Sequence, residues 1–421
     1  MWLILAANNI GKLPLDLGFD ATPHLDYIRY IAEEGRIPYA TEGWEMFNPP
    51  FYYIITALFY KVLALFFSTE TAVRLLRIIS LFCGAAQIEI SYRLLSLAYR
   101  DRKDLQILGI VIGGLLPMNI YISQVPGNEP LTALLSGVVI LLTFKWLLKP
   151  SDVQKNGMLM IGLVAGVAVL TKVTAIILIP VVIVFVIYRT MEGSASLPNR
   201  LMSAVRRFGL VSGIIVGVAG WYYIRNFMEM GHFFAVGGWD VTGEIEWWQE
   251  PGFRTFSQLA SFGNALVYPI YSGLAGLWDS FYSTLWMDGL LSGKIIYKGR
   301  PPWNYAFMLA SAWLSFPLTL AMIIGVFKSI AKPAGPQQKG FLFLFACFLG
   351  YGAAFFYLYL TLPVYSAGKA TYLLGIAPCL VLFCVEGFEI LIRTRVLRAA
   401  VNGLIACWAI ASYLAYFVVS V

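Results

Sequence analysis

Histidine is almost missing from this 421-residue chain: His24 and His232 are the only two. They are too few for an all-histidine metal cage. The five cysteines (Cys83, Cys347, Cys379, Cys384 and Cys407) all fall inside apolar runs, and no CxxC spacing occurs. Neither a zinc site nor a disulfide framework is indicated. No Asn-x-Ser/Thr sequon is present. Charge is scarce as well. Asp, Glu, Lys and Arg make up 13% of the chain, against about 25% in a soluble domain. These shortages, with 59% apolar residues and a mean hydropathy of +0.74, exclude a soluble enzyme, a disordered protein and a nucleic-acid reader. The net charge of +7 therefore bears on which side of a membrane the basic residues occupy.

A membrane span needs about 20 apolar residues. The runs 71–97, 106–124, 130–148, 157–171, 173–190, 208–226, 303–327, 341–362, 371–391 and 399–421 qualify as candidates. The stretch 157–190 reads either as one long helix or as two short ones broken near Lys172. The run 51–67 follows Pro49-Pro50 and reads as a juxtamembrane helix. Met1–Asn9 is apolar but only about 14 Å long as a helix. It reads as the last half of a first span whose beginning is missing, and it lacks the basic region and cleavage site of a signal peptide. No inverted internal repeat of the transporter kind is visible.

One set of connectors carries Arg93, Arg100, Arg102, Lys103, Lys145, Lys149, Lys155, Arg189, Arg200, Arg206, Arg207, Lys328, Lys332, Lys339, Arg393, Arg395 and Arg398. The acids among them are Asp101, Asp104, Asp152 and Glu192. That imbalance assigns these connectors to the cytoplasm. The opposite face then receives 10–70, 123–130, 227–302 and 363–370. Residues 227–302 hold Trp239, Trp247, Trp248, Trp278 and Trp286, a density that suits the headgroup region. Amphipathic helices on the outer leaflet are expected in both long outer loops.

The first of these loops reads GFDATPHLDYIRYIAEEGRIPYATEGWEMFNPPFYY over 18–53. Thr22-Pro23 marks a helix start and Gly35 a stop. Leu25, Ile28, Ile31 and Ala32 form its apolar face; Asp26, Arg29, Glu33 and Glu34 form the polar one. Asp20 sits just before the N-terminus, where the dipole favours its ionised form. It could act as a general base or serve only as a helix cap.

Six elements, in order along one face, carry a family resemblance. They are Asp20, His24, Tyr27-Ile28, Gly35 to Pro38 and Pro49-Pro50 with Tyr52-Tyr53; Ser123-Gln124-Val125 with Asn128-Glu129-Pro130; Leu170-Thr171-Lys172; Gly220-Trp221-Tyr222-Tyr223 with Arg225-Asn226 and Gly231; Trp278-Asp279-Ser280 with Leu285-Trp286 and Asp288-Gly289; and Gly368-Lys369 with Tyr372-Leu373-Leu374 and Pro378. Together they resemble the GT-C glycosyltransferases, in particular relatives of the protein O-mannosyltransferases and of the aminoarabinose transferase of lipid A. The close matches cover about a quarter of the chain, and the span pattern extends them over nearly all of it. The sequence also departs from the pattern. Asp20 is followed by Ala21, where many relatives have an acidic pair. Asn48 stands where some relatives place a metal-binding acid, and Lys369 where arginine is usual.

The resemblance implies an all-α polytopic membrane protein of GT-C type. A single domain over 1–421 would have about eleven membrane segments, the first truncated. The implied activity is transfer of a sugar, with inversion, from a polyprenyl-phosphate-linked donor to a lipid, glycan or protein acceptor. Its location would be the extracytoplasmic face of the cytoplasmic membrane. Asp20 would be the base and Glu129 a second carboxylate. Arg225, Lys369 and Lys172 would meet the phosphate, with His24 and Tyr372 also binding substrate. A divalent metal is left open, with Glu45 or His24 in place of the missing acid; no other cofactor is implied.

Plainer readings stand beside these roles. Lys172 and Arg225 could snorkel from helix ends, Lys369 and His232 could be loop residues, and His24 could lie on the polar face of its helix. Glu89 and Arg93 are spaced as a helix-face ion pair, and Glu386 and Glu389 read as interfacial. A lipid-linked oligosaccharide polymerase or ligase is the nearest rival. A polyprenyl-phosphate-glycan transporter would also need polar residues along a midplane pathway, and few are found.

Overall fold

A computed structural model describes residues 1–148, 155–193, 195–234, 254–294, 300–361 and 365–419. Trp239, Trp247, Trp248, Lys149 and Asp152 lie outside them, as does the Lys155 side chain. Among the described residues the regular structure is helical throughout. The helices are α1 (Trp2–Asn9), α2 (Ala21–Glu34), α3 (Phe51–Ala64), α4 (Thr69–Leu75), α5 (Arg77–Ala98), α6 (Lys103–Gly114), α7 (Pro117–Ile122), α8 (Glu129–Leu148), α9 (Lys155–Thr171) and α10 (Leu178–Met191). They continue with α11 (Leu197–Met230), α12 (Phe256–Ala260), α13 (Asn264–Val267), α14 (Leu277–Trp286), α15 (Tyr305–Leu314), α16 (Phe316–Ile330), α17 (Pro336–Thr361), α18 (Ala377–Leu391) and α19 (Arg395–Tyr416).

Among the described residues eight stretches are long and apolar enough to cross a membrane, and each overlaps one of the ten runs expected from the sequence. The other two expected runs differ. Residues 106–124 divide into α6 and α7, because Leu116 takes ψ 112 ahead of Pro117 at the first position of α7, as a residue before proline prefers. Residues 157–190 break at Lys172, whose backbone is extended (φ −155, ψ 137), so the two-helix reading holds.

The spans differ in how much of themselves they bury. Ala370–Leu391 has 89% of its apolar window inside the protein, and Leu197–Met230 has 17%. The first is the central post and packs against α5, α6 and α16; the second is a peripheral helix with an apolar outer surface. The contact between α18 and α16 depends on two glycines. A Cβ on Gly387 would stand 1.9 Å from the Ala321 carbonyl oxygen, and one on Gly325 would stand 1.8 Å from that of Phe383. Small residues at a crossing let helix backbones approach closely. Gly387→Ala is therefore expected to destabilise the protein by about 1–3 kcal/mol, the usual cost of overpacking. Gly403, with open space around its Cβ, should accept alanine without loss. Thermal unfolding in detergent checks both, and an unchanged midpoint for Gly387→Ala would disprove the close approach.

Helices α2 and α3 fall within residues 10–70. α2 ends at Gly35 in the left-handed region (φ 68), with its N–H on the Ile31 carbonyl. Leu25, Ile28 and Ala32 are buried and Asp26, Glu33 and Glu34 are exposed. α3 is about 21 Å long, too short to span, and packs one side on α2. Its other side presents Ile55, Leu58 and Val62 outward, as suits a juxtamembrane helix. Arg77 ties the loop to α5: its guanidinium is fully buried and donates to the carbonyls of Leu13, at 3.0 Å, and Pro14.

Residues 227–302 differ from expectation where they are described. α14 does not lie on the surface; eight of its ten residues are buried. Trp278 is exposed as expected, but Trp286 is 1% exposed. Its indole N–H donates to Thr319 Oγ1 at 2.7 Å, and its ring meets Trp408 edge-on. The two acids of this stretch are structural. Asp279 accepts from the backbone N–H groups of Gly263 and Ala265. Asp288 accepts from Trp303 and Ser292; its burial pushes the carboxyl up from its ordinary range.

Candidate functional site

The loops before α2 and before α8 meet at a glycine. Gly18 has φ 130, and a Cβ there would stand 2.8 Å from that of Val125. This contact lays 18–20 against 122–129. The second loop is pinned by Tyr52, whose hydroxyl accepts the Gly127 N–H at 2.9 Å. Gly127 in turn leaves space that a side chain would fill: its Cβ would be 3.0 Å from Glu129 Oε2 and 3.6 Å from His24 Nε2. The carboxylate and the imidazole thus face one small gap from different helices.

Glu129 opens α8, at the positive end of its dipole. Its Oε1 accepts from Lys172 Nζ at 2.5 Å, and the same ammonium reaches Asn128 Oδ1 at 3.3 Å. Lys172 can reach them because the chain is extended between α9 and the 3-10 turn Val173–Ile177. Behind this pair runs a chain of amides. Asn128 donates to Asn48 Oδ1 at 3.0 Å, and Asn48 donates to the Glu45 carboxylate.

His24 is 3% exposed, so it belongs to the buried face of α2 and not to the polar one. Its Nδ1 lies 2.8 Å from the Tyr53 hydroxyl and 3.7 Å from Glu45 Oε2. Burial raises the Glu45 carboxyl above its ordinary range, while His24 pulls it back and the charge of Asp20 adds to the rise. Tyr27 stacks on Tyr53 at 3.8 Å beneath the site. The notable residues that sequence reasoning gave no role are Phe19, Asn48, Tyr53 and Asn128. All four stand inside or beside the quoted motifs, which was the available signal.

Lys369 follows a turn set by α14. Gly368 lies against Ser280, where a Cβ would stand 2.7 Å from that of the serine, and the Ala370 N–H donates to Thr284 Oγ1 at 2.8 Å. The Lys369 side chain is 7% exposed. Its Nζ stands 4.2 Å from the centre of the Phe19 ring and 5.4 Å from that of Tyr372. Among the described residues no carboxylate pairs with it. One crevice joins Lys369 to Phe19, Gly127 and Glu129. A second joins Glu129 to Lys172, Thr371 and Tyr372.

Asp20 is exposed at the mouth, one residue from Phe19. It holds a left-handed backbone (φ 51, ψ 30), and its side chain makes no capping hydrogen bond to α2. Among the described residues it has no ion pair, so its carboxylate faces outward unengaged.

The fold thus gathers Glu129, His24, Lys172, Lys369 and Tyr372 from separate parts of the chain and sets Asp20 beside them. It does not bring Arg225 to the same crevices. That guanidinium donates to the carbonyls of Ile37 (2.9 Å) and Pro38 (3.1 Å) and lies over the Tyr39 ring. α11, which carries it, packs on α9 and α10, whereas the 3-10 segment Ala370–Ile376 packs on α8, α14 and α17. Arg225 clamps residues 37–39 against α11. Nor does the divalent-metal expectation find a fitting donor set, since no three His, Cys, Asp or Glu side chains gather to hold an ion among the described residues.

The overall arrangement is similar to several solved membrane transferases. ArnT from Cupriavidus metallidurans bound to undecaprenyl phosphate aligns at a TM-score of 0.55 and 14% identity, covering 99% of this chain and 74% of that one. The Archaeoglobus fulgidus oligosaccharyltransferase in complex with zinc and sulfate aligns at 0.56 and 14%, covering 100% and 53%. The same organism's AglB, with an inhibitory peptide and a dolichol-phosphate, aligns at 0.52 and 14%, covering 99% and 55%. The chain thus spans about three quarters of the first and little more than half of the other two. No protein-family model and no curated protein matches the sequence. The chain has the GT-C fold.

Proposed function

We propose that this protein is a membrane glycosyltransferase that moves a sugar from a polyprenyl-phosphate-linked donor to an acceptor at the extracytoplasmic face. The observation that carries this reading is Lys369. A lysine ammonium has three N–H donors, and among the described residues these meet only ring faces in a nearly closed site. Such a group calls for an anion. The phosphate of a lipid carrier is a fitting one, since the crevice lies at the outer end of a membrane span. Undecaprenyl phosphate in ArnT and dolichol-phosphate in AglB support the same donor class.

The chemistry then divides among the residues. The Asp20 carboxylate takes the proton of an acceptor hydroxyl. The acceptor oxygen forms its bond to the anomeric carbon as the bond to the phosphate oxygen breaks, and the electron pair leaves on the phosphate. Lys369 stabilises the charge that develops there. A single displacement of this kind inverts the anomeric centre. Glu129 is held in place by Lys172, whose ammonium is also held by Asn128 Oδ1, and with His24 Nε2 across the gap it is positioned to receive sugar hydroxyls. The clustering of basic residues at the opposite ends of the spans supports the extracytoplasmic placement.

The test is transfer by the purified protein from a panel of polyprenyl-phosphate monosaccharides, with products read by mass. Product from at least one of them is expected, and none from nucleotide sugars. Transfer from a nucleotide sugar with no lipid carrier present would overturn the reading. Transfer only from lipid-linked oligosaccharides would favour the polymerase or ligase alternative.

A further inference from the structure

The end of the bundle away from Glu129 carries charge that sugar transfer does not use. The central post runs from Lys369 at one end to Glu389 and Arg393 at the other. Near that second end Glu386, fully buried, accepts from the Tyr99 hydroxyl at 2.5 Å. It also lies 2.8 Å from Lys332 Nζ and 3.2 Å from Lys328 Nζ. Glu389 pairs with Lys328 and with Arg102, the latter at 3.2 Å. Arg102 holds Asp104 at 2.9 Å.

Beside this network opens a crevice of about 430 Å³, lined by Arg102, Asp104, Lys328, Glu389, Arg393 and Arg398. Four cations face two carboxylates. Glu386 and Lys332 behind them add one charge of each sign, so the positive excess stands. The excess resides in two arginines. Arg393 has no hydrogen bond or ion pair among the described residues. Arg398 gives Nε and Nη2 to the Ile392 carbonyl, which leaves its Nη1 edge open. Around the crevice Phe327, Ile330, Ile390, Leu391 and Val396 are exposed and apolar.

We propose that this crevice binds the phosphate of an anionic membrane phospholipid, with its acyl chains along the apolar rim. Guanidinium forks suit phosphate oxygens, and basic pockets between helix ends at a membrane surface suit anionic headgroups. A free anion would answer the charge but would leave the rim without a role. The donor carrier is a different ligand on this account, because its phosphate is assigned to Lys369 at the far end of the same post.

The test uses the full-length protein, delipidated in detergent and followed by native mass spectrometry. Phosphatidylglycerol is expected to bind at least about ten-fold more tightly than phosphatidylcholine, as charge-assisted contacts would require. Arg393→Gln breaks no hydrogen bond or ion pair among the described residues and should reduce that preference several-fold. Arg393→Gln with Arg398→Gln should abolish it. Arg206→Gln, on α11, should leave it intact. Inorganic phosphate at millimolar concentration should not displace the lipid. Equal binding of the two phospholipids, undiminished preference in the double variant, or displacement by inorganic phosphate would each overturn the proposal, the last by showing a site for free anions.

Discussion

Asp20→Asn is expected to abolish sugar transfer while leaving the protein folded and able to bind its lipid carrier. Asparagine is the informative replacement for two reasons. It tolerates the left-handed backbone that Asp20 adopts about as well as aspartate does, so the turn into α2 should be undisturbed. It also caps a helix as well as aspartate, so a purely structural role would survive the change. The carboxylate makes no capping bond to begin with. What asparagine removes is the capacity to accept a proton, commonly worth about 10²–10⁴-fold in rate. Turnover above about a tenth of wild type would count against Asp20 as the base, since the contribution of a general base is typically about 10²–10⁴-fold. Asp20→Ala is less decisive because it would add a backbone penalty of about 1–2 kcal/mol at this positive φ.

The sequence was most legible where one local rule decides the outcome. Apolar length picked out the eight described stretches long enough to span, and positional preferences placed the stop of α2 at Gly35 but its start two residues late, since the helix begins at Ala21 and not at Pro23. The break at Lys172 was left open because the choice depends on tertiary contacts. Leaving the helix there allows the lysine to reach Glu129 and Asn128, and these are forty-odd residues away in the chain. His24 was hard to place for a similar reason. A histidine between Pro23 and Leu25 gives no sign that Tyr53 and Glu45 will lie against it. The reading of Trp286 as interfacial followed composition, whereas its burial depends on Thr319 and Trp408 from distant helices. Arg225 illustrates the same limit. Its neighbours matched a motif, but its partners are the Ile37 and Pro38 carbonyls, which no spacing rule identifies.

Lys369→Met should separate the donor's requirement for charge from the fold's requirement for bulk. The ammonium lies between the faces of Phe19 and Tyr372. Methionine has nearly the same length, and its thioether packs well against aromatic rings. The variant should therefore fold, with a melting midpoint at or above that of wild type, because a buried charge without a counter-ion costs stability. Its affinity for a polyprenyl phosphate should fall, since the one charge assigned to the phosphate is gone. Turnover should fall further, by about 10²–10³-fold, the usual loss when a group stabilising developing charge is removed. Arg225→Ala provides the contrast: it should loosen residues 36–39, seen as faster hydrogen exchange there, and leave carrier affinity unchanged. Carrier affinity can be followed by quenching of tryptophan fluorescence. Wild-type affinity in Lys369→Met, with the loss appearing in Arg225→Ala instead, would move the phosphate site from the central post to α11 and with it the site of the chemistry.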